Sequence, residues 1–145
     1  MMYLLQVLGD LLARVGLSRR TSRAEIVLAD PAHAWRLVEE PTLWALWMPG
    51  VRGLLDPPRP PRPGARVRIR LRPANGRFGL AGGNRDGTVQ IEDWVPGTRM
   101  SWRVVVGRSE EHYTLSIEDG VARAVARGGE SALVVVSGLE RQSRP

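Results

Sequence analysis

The strongest constraint on the fold is a strict alternation of apolar and charged side chains over residues 65–72. Val67, Ile69 and Leu71 share one face, and the residues between and beside them are arginines. A two-residue period is typical of a β-strand with one buried face and one face in water. Similar patterns predict further strands over residues 22–29, 51–55, 88–94, 99–106, 111–118, 121–126 and 132–137.

Short connections link several of these predicted strands. Pro96-Gly97 and residues 107–109 leave room only for tight turns. Parallel strands need long crossover connections, so these links favour an antiparallel sheet. Two longer links are predicted to be loops, the Pro-rich residues 57–64 and the Gly-rich residues 75–87.

A compact helical corner is predicted between the first two strands. Asp30 can cap a helix that has Pro31 as its first residue, and Pro41 ends that helix. A second, shorter helix is expected over residues 42–46, before the break at Pro49-Gly50. The order of elements therefore predicts an α+β fold, with two short helices after strand 1 and a curved antiparallel sheet of about six to seven strands.

This corner holds three of the five tryptophans, Trp35, Trp44 and Trp47. Aromatic residues at helical spacing usually anchor helices to a sheet. The alternative is that they form the roof of a cavity. We favour the anchoring role.

Residues 1–17 are predicted to form an amphipathic helix. Leu4, Leu8, Leu11 and Val15 recur at helical spacing. The segment lacks the basic region of a signal peptide and is shorter than a membrane span, so we expect a cytoplasmic protein. Its apolar face needs a partner, which is the domain's own sheet, a second copy of the chain, or a lipid surface.

Composition excludes several classes of chemistry. At 145 residues the chain is long enough for one domain with its own core, and it has no cysteine, so disulfides and thiolate catalysis are ruled out. All 21 basic residues are arginine and the formal net charge is +6. Because GC-rich coding explains an arginine-only composition, a nucleic-acid partner is not expected from charge alone.

One dense stripe of arginines stands out on the Pro-rich loop and the strand that follows it. Such a stripe could contact anionic lipid head groups or nucleic-acid phosphates. No aromatic residues interleave to stack bases, so a solvated outer face is the preferred interpretation, with peripheral membrane contact as the alternative. The stripe consists of Arg59, Arg62, Arg66, Arg68, Arg70 and Arg72.

Three segments in this order resemble the START-like (SRPBCC) superfamily, and within it the polyketide cyclase/dehydrase and lipid-transport branch. They are LWALWMPGV at 43–51, GARV at 64–67 and PGTRMSWR at 96–103. The resemblance covers residues 22–118. It implies a helix-grip fold, in which a curved sheet wraps around a long helix and encloses a hydrophobic ligand cavity.

The chain departs from that family at its C-terminal end. Members usually end in a long amphipathic helix, whereas residues 119–145 read as strand and tail. Either the cavity is open, or residues 1–17 occupy the groove in place of the missing helix. We expect the second, because a bare concave sheet would expose a large apolar patch. The predicted organisation is thus an N-terminal helix over 1–17, a helix-grip domain over 22–139 and a frayed tail over 140–145.

The predicted ligand-binding residues are the apolar side chains on the concave face of the sheet. Trp102 and Tyr113 are the strongest candidates, because each carries a donor that could orient an apolar ligand. For any single residue of this set, packing against a helix is the favoured role and ligand contact comes second. The full set is Val67, Ile69, Leu71, Met100, Trp102, Val104, Tyr113, Leu115 and Ile117.

Catalytic chemistry has little support in the sequence. Tyr113 and His112 are weak candidates for proton transfer, and neither has a predictable partner. Two distant histidines without cysteine make a poor metal site, and no metal or cofactor is expected.

Three functions follow as hypotheses. The first is binding or carriage of a hydrophobic small molecule such as a lipid, a quinone-like compound or a polyketide. The second is an enzyme of the polyketide cyclase or aromatase type. The third is a module that uses residues 1–17 to form a homodimer or to dock on a membrane.

Overall fold

The computed structural model describes residues 20–72 and 85–145. In these residues a seven-stranded sheet has the order β1-β7-β6-β5-β4-β3-β2, and all neighbouring strands are antiparallel. The strands are β1 Thr21–Val27, β2 Val51–Leu54, β3 Arg66–Leu71, β4 Arg85–Val95, β5 Arg99–Val106, β6 Ser109–Glu118 and β7 Val121–Arg127. The helices are α1 Pro31–Glu39, a 3-10 turn Pro41–Leu43, α2 Trp44–Trp47 and α3 Ala132–Ser143.

The α+β class and the antiparallel sheet agree with the sequence-based prediction. Burial alternates along β3, with its arginines exposed and its aliphatic residues buried. The predicted loop over residues 75–87 lies mostly outside the described residues, and β4 already begins at Arg85. The inner face of the sheet carries the apolar residues and packs against the helices.

The helical corner forms as its sequence predicts, and its tryptophans anchor it. The Asp30 side chain caps α1 by accepting from His33 N at 3.1 Å. The indole of Trp44 donates to Val38 O at 2.9 Å, and that of Trp47 donates to Leu37 O at 2.7 Å. These carbonyls lie in the last turn of α1, where intrahelical donors run out. The two buried indoles therefore both fill the core and cap the preceding helix.

The prediction for the C-terminal residues is wrong. Residues 132–137, predicted to be a strand, begin α3, which continues to Ser143. Ser131 caps this helix by accepting from Val134 N at 3.4 Å. The buried positions follow a helical period and are Ala132, Val135, Val136, Gly138, Leu139 and Ser143. A run of three valines favours a strand locally, but burial of this face against the sheet selects the helix.

This C-terminal helix supplies the element that the family pattern requires. It packs on β1 and β7 and contacts α1 and α2. Gly138 allows α3 to pack closely against the end of α2, because a Cβ at this position would lie 3.2 Å from Trp47 O. The frayed tail predicted for residues 140–145 is also corrected, since the helix includes 140–143 and Ser143 is fully buried.

The groove is thus occupied by α3. Residues 1–17 are predicted to fill this groove only if the chain lacks a C-terminal helix, and α3 is that helix. Residues 1–17 themselves lie outside the described residues. Within the described residues, no helix has both the length and the apolar character needed to span a bilayer.

Candidate functional site

A cavity of about 780 Å³ opens between α2, α3 and one end of the sheet. The cavity lies at the edge of the sheet where β3 and β5 end and where β4 and β6 begin. Its size falls within the range of small-molecule sites, roughly 300–1,000 Å³. Among the described residues, the apolar part of the wall includes Leu46, Trp47, Met48, Leu71, Val104, Val106 and Val134.

Ionisable side chains surround the apolar wall. Among the described residues, three arginines and three glutamates contribute to the cavity lining, but the Glu110 carboxylate points to the outer face, where it pairs with Arg103 and His112. The cavity is therefore amphipathic, with charged side chains beside its apolar wall. The six residues are Arg72, Arg85, Arg141, Glu110, Glu111 and Glu130.

The best-defined polar contact in the cavity joins Glu111 and Tyr113 on β6. The two residues are separated by one position, so both project from the inner face of the sheet. The Tyr113 hydroxyl donates to Glu111 Oε1 at 2.8 Å and accepts from Glu130 N at 3.1 Å. The hydroxyl is thus fixed from both sides, and it holds the carboxylate against the cavity wall.

Gly128 and Gly129 wrap around this pair. Both have positive φ, +74° and +63° respectively. A Cβ at Gly129 would overlap the Glu111 carboxylate and would come within 2.6 Å of the Tyr113 hydroxyl. Only glycine leaves this space open, and it also permits the left-handed backbone at no steric cost.

Burial raises the pKa of Tyr113 well above its ordinary value of 10.0, and the nearby Glu111 carboxylate raises this pKa further. The phenol therefore stays protonated and acts as a donor to Glu111. It is not poised to remove a proton from a ligand.

We expect Tyr113 to resist ionisation in an alkaline titration followed by the ultraviolet absorbance of tyrosinate. Its pKa is higher folded than unfolded, so its stabilising contribution is complete below about pH 10 and declines as the pH rises above that value. A Tyr113→Phe variant should show a shallower loss of unfolding free energy above pH 10. If both tyrosines of the chain ionise near pH 10 in the folded protein, this assignment is wrong.

The predicted ligand-binding residues divide into two groups. Leu71 and Val104 form part of the cavity wall, and Tyr113 reaches that wall through Glu111. The others belong to the buried core that packs beneath the helices: Val67, Ile69, Met100, Trp102, Leu115 and Ile117. The concave face therefore serves packing over most of its length and encloses space at one end.

Trp102 connects the core to the cavity. Its ring stacks on Tyr113 with centroids 5.2 Å apart and meets Trp47 edge to face at 5.8 Å. The indole is fully buried, and among the described residues its Nε1 has no hydrogen-bond partner. A buried donor without an acceptor costs about 1–3 kcal/mol.

His112, the other weak catalytic candidate, lies on the opposite face of β6. Its ring nitrogens are 3.6 Å from Glu92 Oε1 and 3.4 Å from Glu110 Oε2. Arg103 joins the same outer-face cluster, with Nη1 3.4 Å from Glu110 Oε1. The structure does not bring His112 together with Tyr113 in one site.

The arginines of β3 also lie on the outer face, as their alternation predicts. Arg68 is bound by Asp56, which accepts from the Arg68 backbone and from its Nε at 2.9 and 3.0 Å. These hydrogen bonds lower the pKa of Asp56. Arg70 lies 4.0 Å from Asp86. The arginine stripe is thus partly neutralised by carboxylates.

Sequence reasoning missed Glu111, Gly129 and Glu130. Once Tyr113 is placed on the inner face, the two-residue period puts Glu111 on the same face, so a usable signal was present. No local pattern links Gly129 to β6, because their contact depends on how the turn before α3 folds back. No group of three or more acidic or histidine residues able to hold a metal ion occurs in 20–72 and 85–145.

Comparisons with known proteins agree with this architecture. The family described as polyketide cyclase/dehydrase and lipid transport matches residues 19–139. No curated protein matches the chain. Polyketides and lipids are mainly apolar molecules, so the family supports a fold that binds hydrophobic ligands.

Three solved structures show the same fold at low sequence identity. Protein CV1439 from Chromobacterium violaceum has a TM-score of 0.62 and 17% identity, over 86% of this chain and 98% of that one. Ara h 8.0201 has a TM-score of 0.58 and 12% identity, over 86% and 97%. The di-domain ARO/CYC BexL from the BE-7585A biosynthetic pathway has a TM-score of 0.58 and 15% identity, over 87% of this chain and 51% of that one.

The seven-stranded antiparallel sheet, the helical corner and the C-terminal helix packed on the inner face together form a helix-grip fold. With the family match over residues 19–139, they show that this chain belongs to the polyketide cyclase/dehydrase and lipid transport family of START-like proteins.

Proposed function

We propose that this protein binds and carries a hydrophobic small molecule in the cavity between the sheet and α3. The observation that carries the proposal is the cavity itself, with about 780 Å³ of space and a partly apolar wall to which the sheet, α2 and α3 contribute. Burying the apolar surface of a ligand contributes roughly 25 cal/mol per Å² before the entropy of binding is subtracted. Contact with the apolar part of the wall would therefore contribute to binding, and the polar lining would orient the ligand.

The family description and the similarity to Ara h 8.0201 and to the ARO/CYC BexL support this function. All of these proteins share the helix-grip fold, and the family description names both polyketides and lipids. We propose a ligand of this general kind, a lipid, a quinone-like compound or a polyketide, with selectivity set by the shape of the cavity.

A test can block the cavity without touching the core. Val134 on α3 lines the cavity and is 45% exposed, so Val134→Trp should fill the mouth while the fold is retained. We expect this variant to lose at least about tenfold in affinity for a hydrophobic dye such as 8-anilinonaphthalene-1-sulfonate, measured by fluorescence titration. The size of the loss reflects about 1.4 kcal/mol of excluded contact.

The matched control is the neighbouring Leu133→Trp. Leu133 is 59% exposed and does not line the cavity, so dye binding should be unchanged. Equal dye affinity in wild type, Val134→Trp and Leu133→Trp would rule out the cavity as the binding site. Absence of any dye binding and of any co-purified apolar molecule in native mass spectrometry would count against the carrier function as a whole.

A cyclase or aromatase is the second candidate, and the Glu111–Tyr113 pair at the cavity favours it. Glu111 is a carboxylate held at a cavity wall, a suitable position for a general base. Mass spectrometry combined with ultraviolet absorbance of the released ligand separates the two functions. A carrier returns its polyketide ligand with the same mass and absorbance, whereas cyclisation changes the absorbance and any dehydration that follows also removes the mass of one water.

A further inference from the structure

We propose, on the basis of the ligand-binding function above, that Glu111 selects ligands that carry a hydroxyl group. The hydroxyl would be an alcohol, a phenol or an enol at the end of an otherwise apolar molecule. This hydroxyl would donate a hydrogen bond to the Glu111 carboxylate at the cavity wall. Tyr113 is then a positioning residue, which acts through Glu111.

Glu111 has unused capacity to accept hydrogen bonds. An ionised carboxylate offers about four acceptor positions. Among the described residues, Glu111 accepts only from the Tyr113 hydroxyl, at 2.8 Å. It is half-buried and lines the cavity, so a ligand donor can reach the remaining positions.

The surrounding groups fix the carboxylate in place. Tyr113 is itself held by Glu130 N, and the missing side chain of Gly129 leaves the space that the carboxylate fills. A group whose orientation is set before the ligand arrives loses less entropy on binding. This preorganisation distinguishes Glu111 from the exposed charged residues around the cavity.

The charge balance favours a neutral hydroxyl over an ionic head group. Among the described residues, three arginines stand against only two glutamates whose carboxylates are not on the outer face, Glu111 and Glu130, so an ammonium gains no net attraction, and an ionised ligand carboxylate has no proton to donate to Glu111. Hydrogen bonding is then the main polar source of selectivity. A neutral donor to a charged acceptor forms one of the stronger hydrogen bonds found in proteins.

Trp102 supports this pair from the side of the core. Its ring is fully buried and stacks on Tyr113 with centroids 5.2 Å apart, and it is not one of the residues that line the cavity. The stacking restricts the Tyr113 ring and so helps to hold the Glu111 carboxylate in place.

The experiment compares 2-naphthol with 2-methoxynaphthalene, which has nearly the same shape but no proton to donate. We expect wild type to bind 2-naphthol at least about tenfold more tightly, because a hydrogen bond to a charged group contributes on that scale. Glu111→Gln, which keeps an oxygen for the Tyr113 hydroxyl, should reduce this preference to about threefold or less. Its affinity for 2-methoxynaphthalene should stay the same, which also shows that the variant is folded.

The matched control is Glu118→Gln, an exposed carboxylate at the other end of β6. It should keep the full preference for 2-naphthol. Equal binding of the two compounds by wild type, or an undiminished preference in Glu111→Gln, would overturn the role of Glu111 while leaving the carrier function intact. If neither compound nor the dye binds, the carrier function and the selectivity both fail.

Discussion

Replacing Leu139 by aspartate should leave most of the protein unfolded at room temperature. Leu139 is fully buried on the face of α3 that packs into the core. The substitution removes a large apolar side chain, which costs about 2–5 kcal/mol, and it buries an unpaired charge at a further cost of several kcal/mol. The sum is comparable to the whole stability of a small domain, about 5–15 kcal/mol.

Leu133→Asp is the control for this prediction. Leu133 lies in the same helix but is 59% exposed, and a carboxylate in the first turn interacts favourably with the helix dipole. Its unfolding free energy in urea should therefore be close to that of wild type. A Leu139→Asp variant with a cooperative urea transition near the wild-type midpoint would show that α3 does not contribute to the core.

The Trp44→Ala variant should lose about 3–5 kcal/mol of unfolding free energy. Trp44 has no exposed surface, and its ring is among the largest buried in the structure. Alanine would leave a cavity beneath the corner and would also remove the donor to Val38 O. That carbonyl, in the last turn of α1, would then lack its partner.

Chemical denaturation of Trp44→Ala and Leu46→Ala provides the measurement. Leu46 belongs to the same short helix and is 50% exposed, so its truncation should change the unfolding free energy by only about 0.5 kcal/mol. Trp44→Phe should fall between the two, because it restores much of the volume but not the indole donor. Similar losses for Trp44→Ala and Leu46→Ala would show that the corner is not anchored by its indoles.

The helical corner shows where sequence reasoning succeeds. Asp30 and Pro31 start a helix for local reasons of capping and fixed φ, and Pro41 stops it because it has no N–H to donate. The predicted short helix over 42–46 corresponds to a 3-10 turn followed by α2, with a shift of one residue at each end. Caps and turn residues within a few positions set the limits of these elements.

The C-terminal helix shows where it fails. The Val134-Val135-Val136 run has a high strand propensity, and this preference outweighed the helical spacing of Ala132, Val135 and Leu139. The packing of that spaced face against β1, β7 and the two other helices decides the outcome. From sequence alone, the two patterns in this segment are close enough that propensity gives the wrong answer.

The candidate site lies between these two cases. Alternation places Tyr113 and Val104 on the inner face, and the same period includes Glu111. The alternation does not show that the helices pack tightly on the sheet around Trp102 and leave a cavity near Leu71. That depends on how far α3 extends over the sheet, and this segment was assigned to the wrong class.

By itself, the sequence determined the strand pattern, the antiparallel arrangement, the helical corner and the resemblance to START-like proteins. These depend on residue periods, turn residues and caps that act over a few positions. The tertiary structure decided that residues 132–143 form a helix, that most of the concave face is core, and that the turn at Gly129 meets Glu111 and Tyr113. Each of these outcomes depends on contacts between segments that are far apart in the chain. The residue pattern within any one segment does not contain that information.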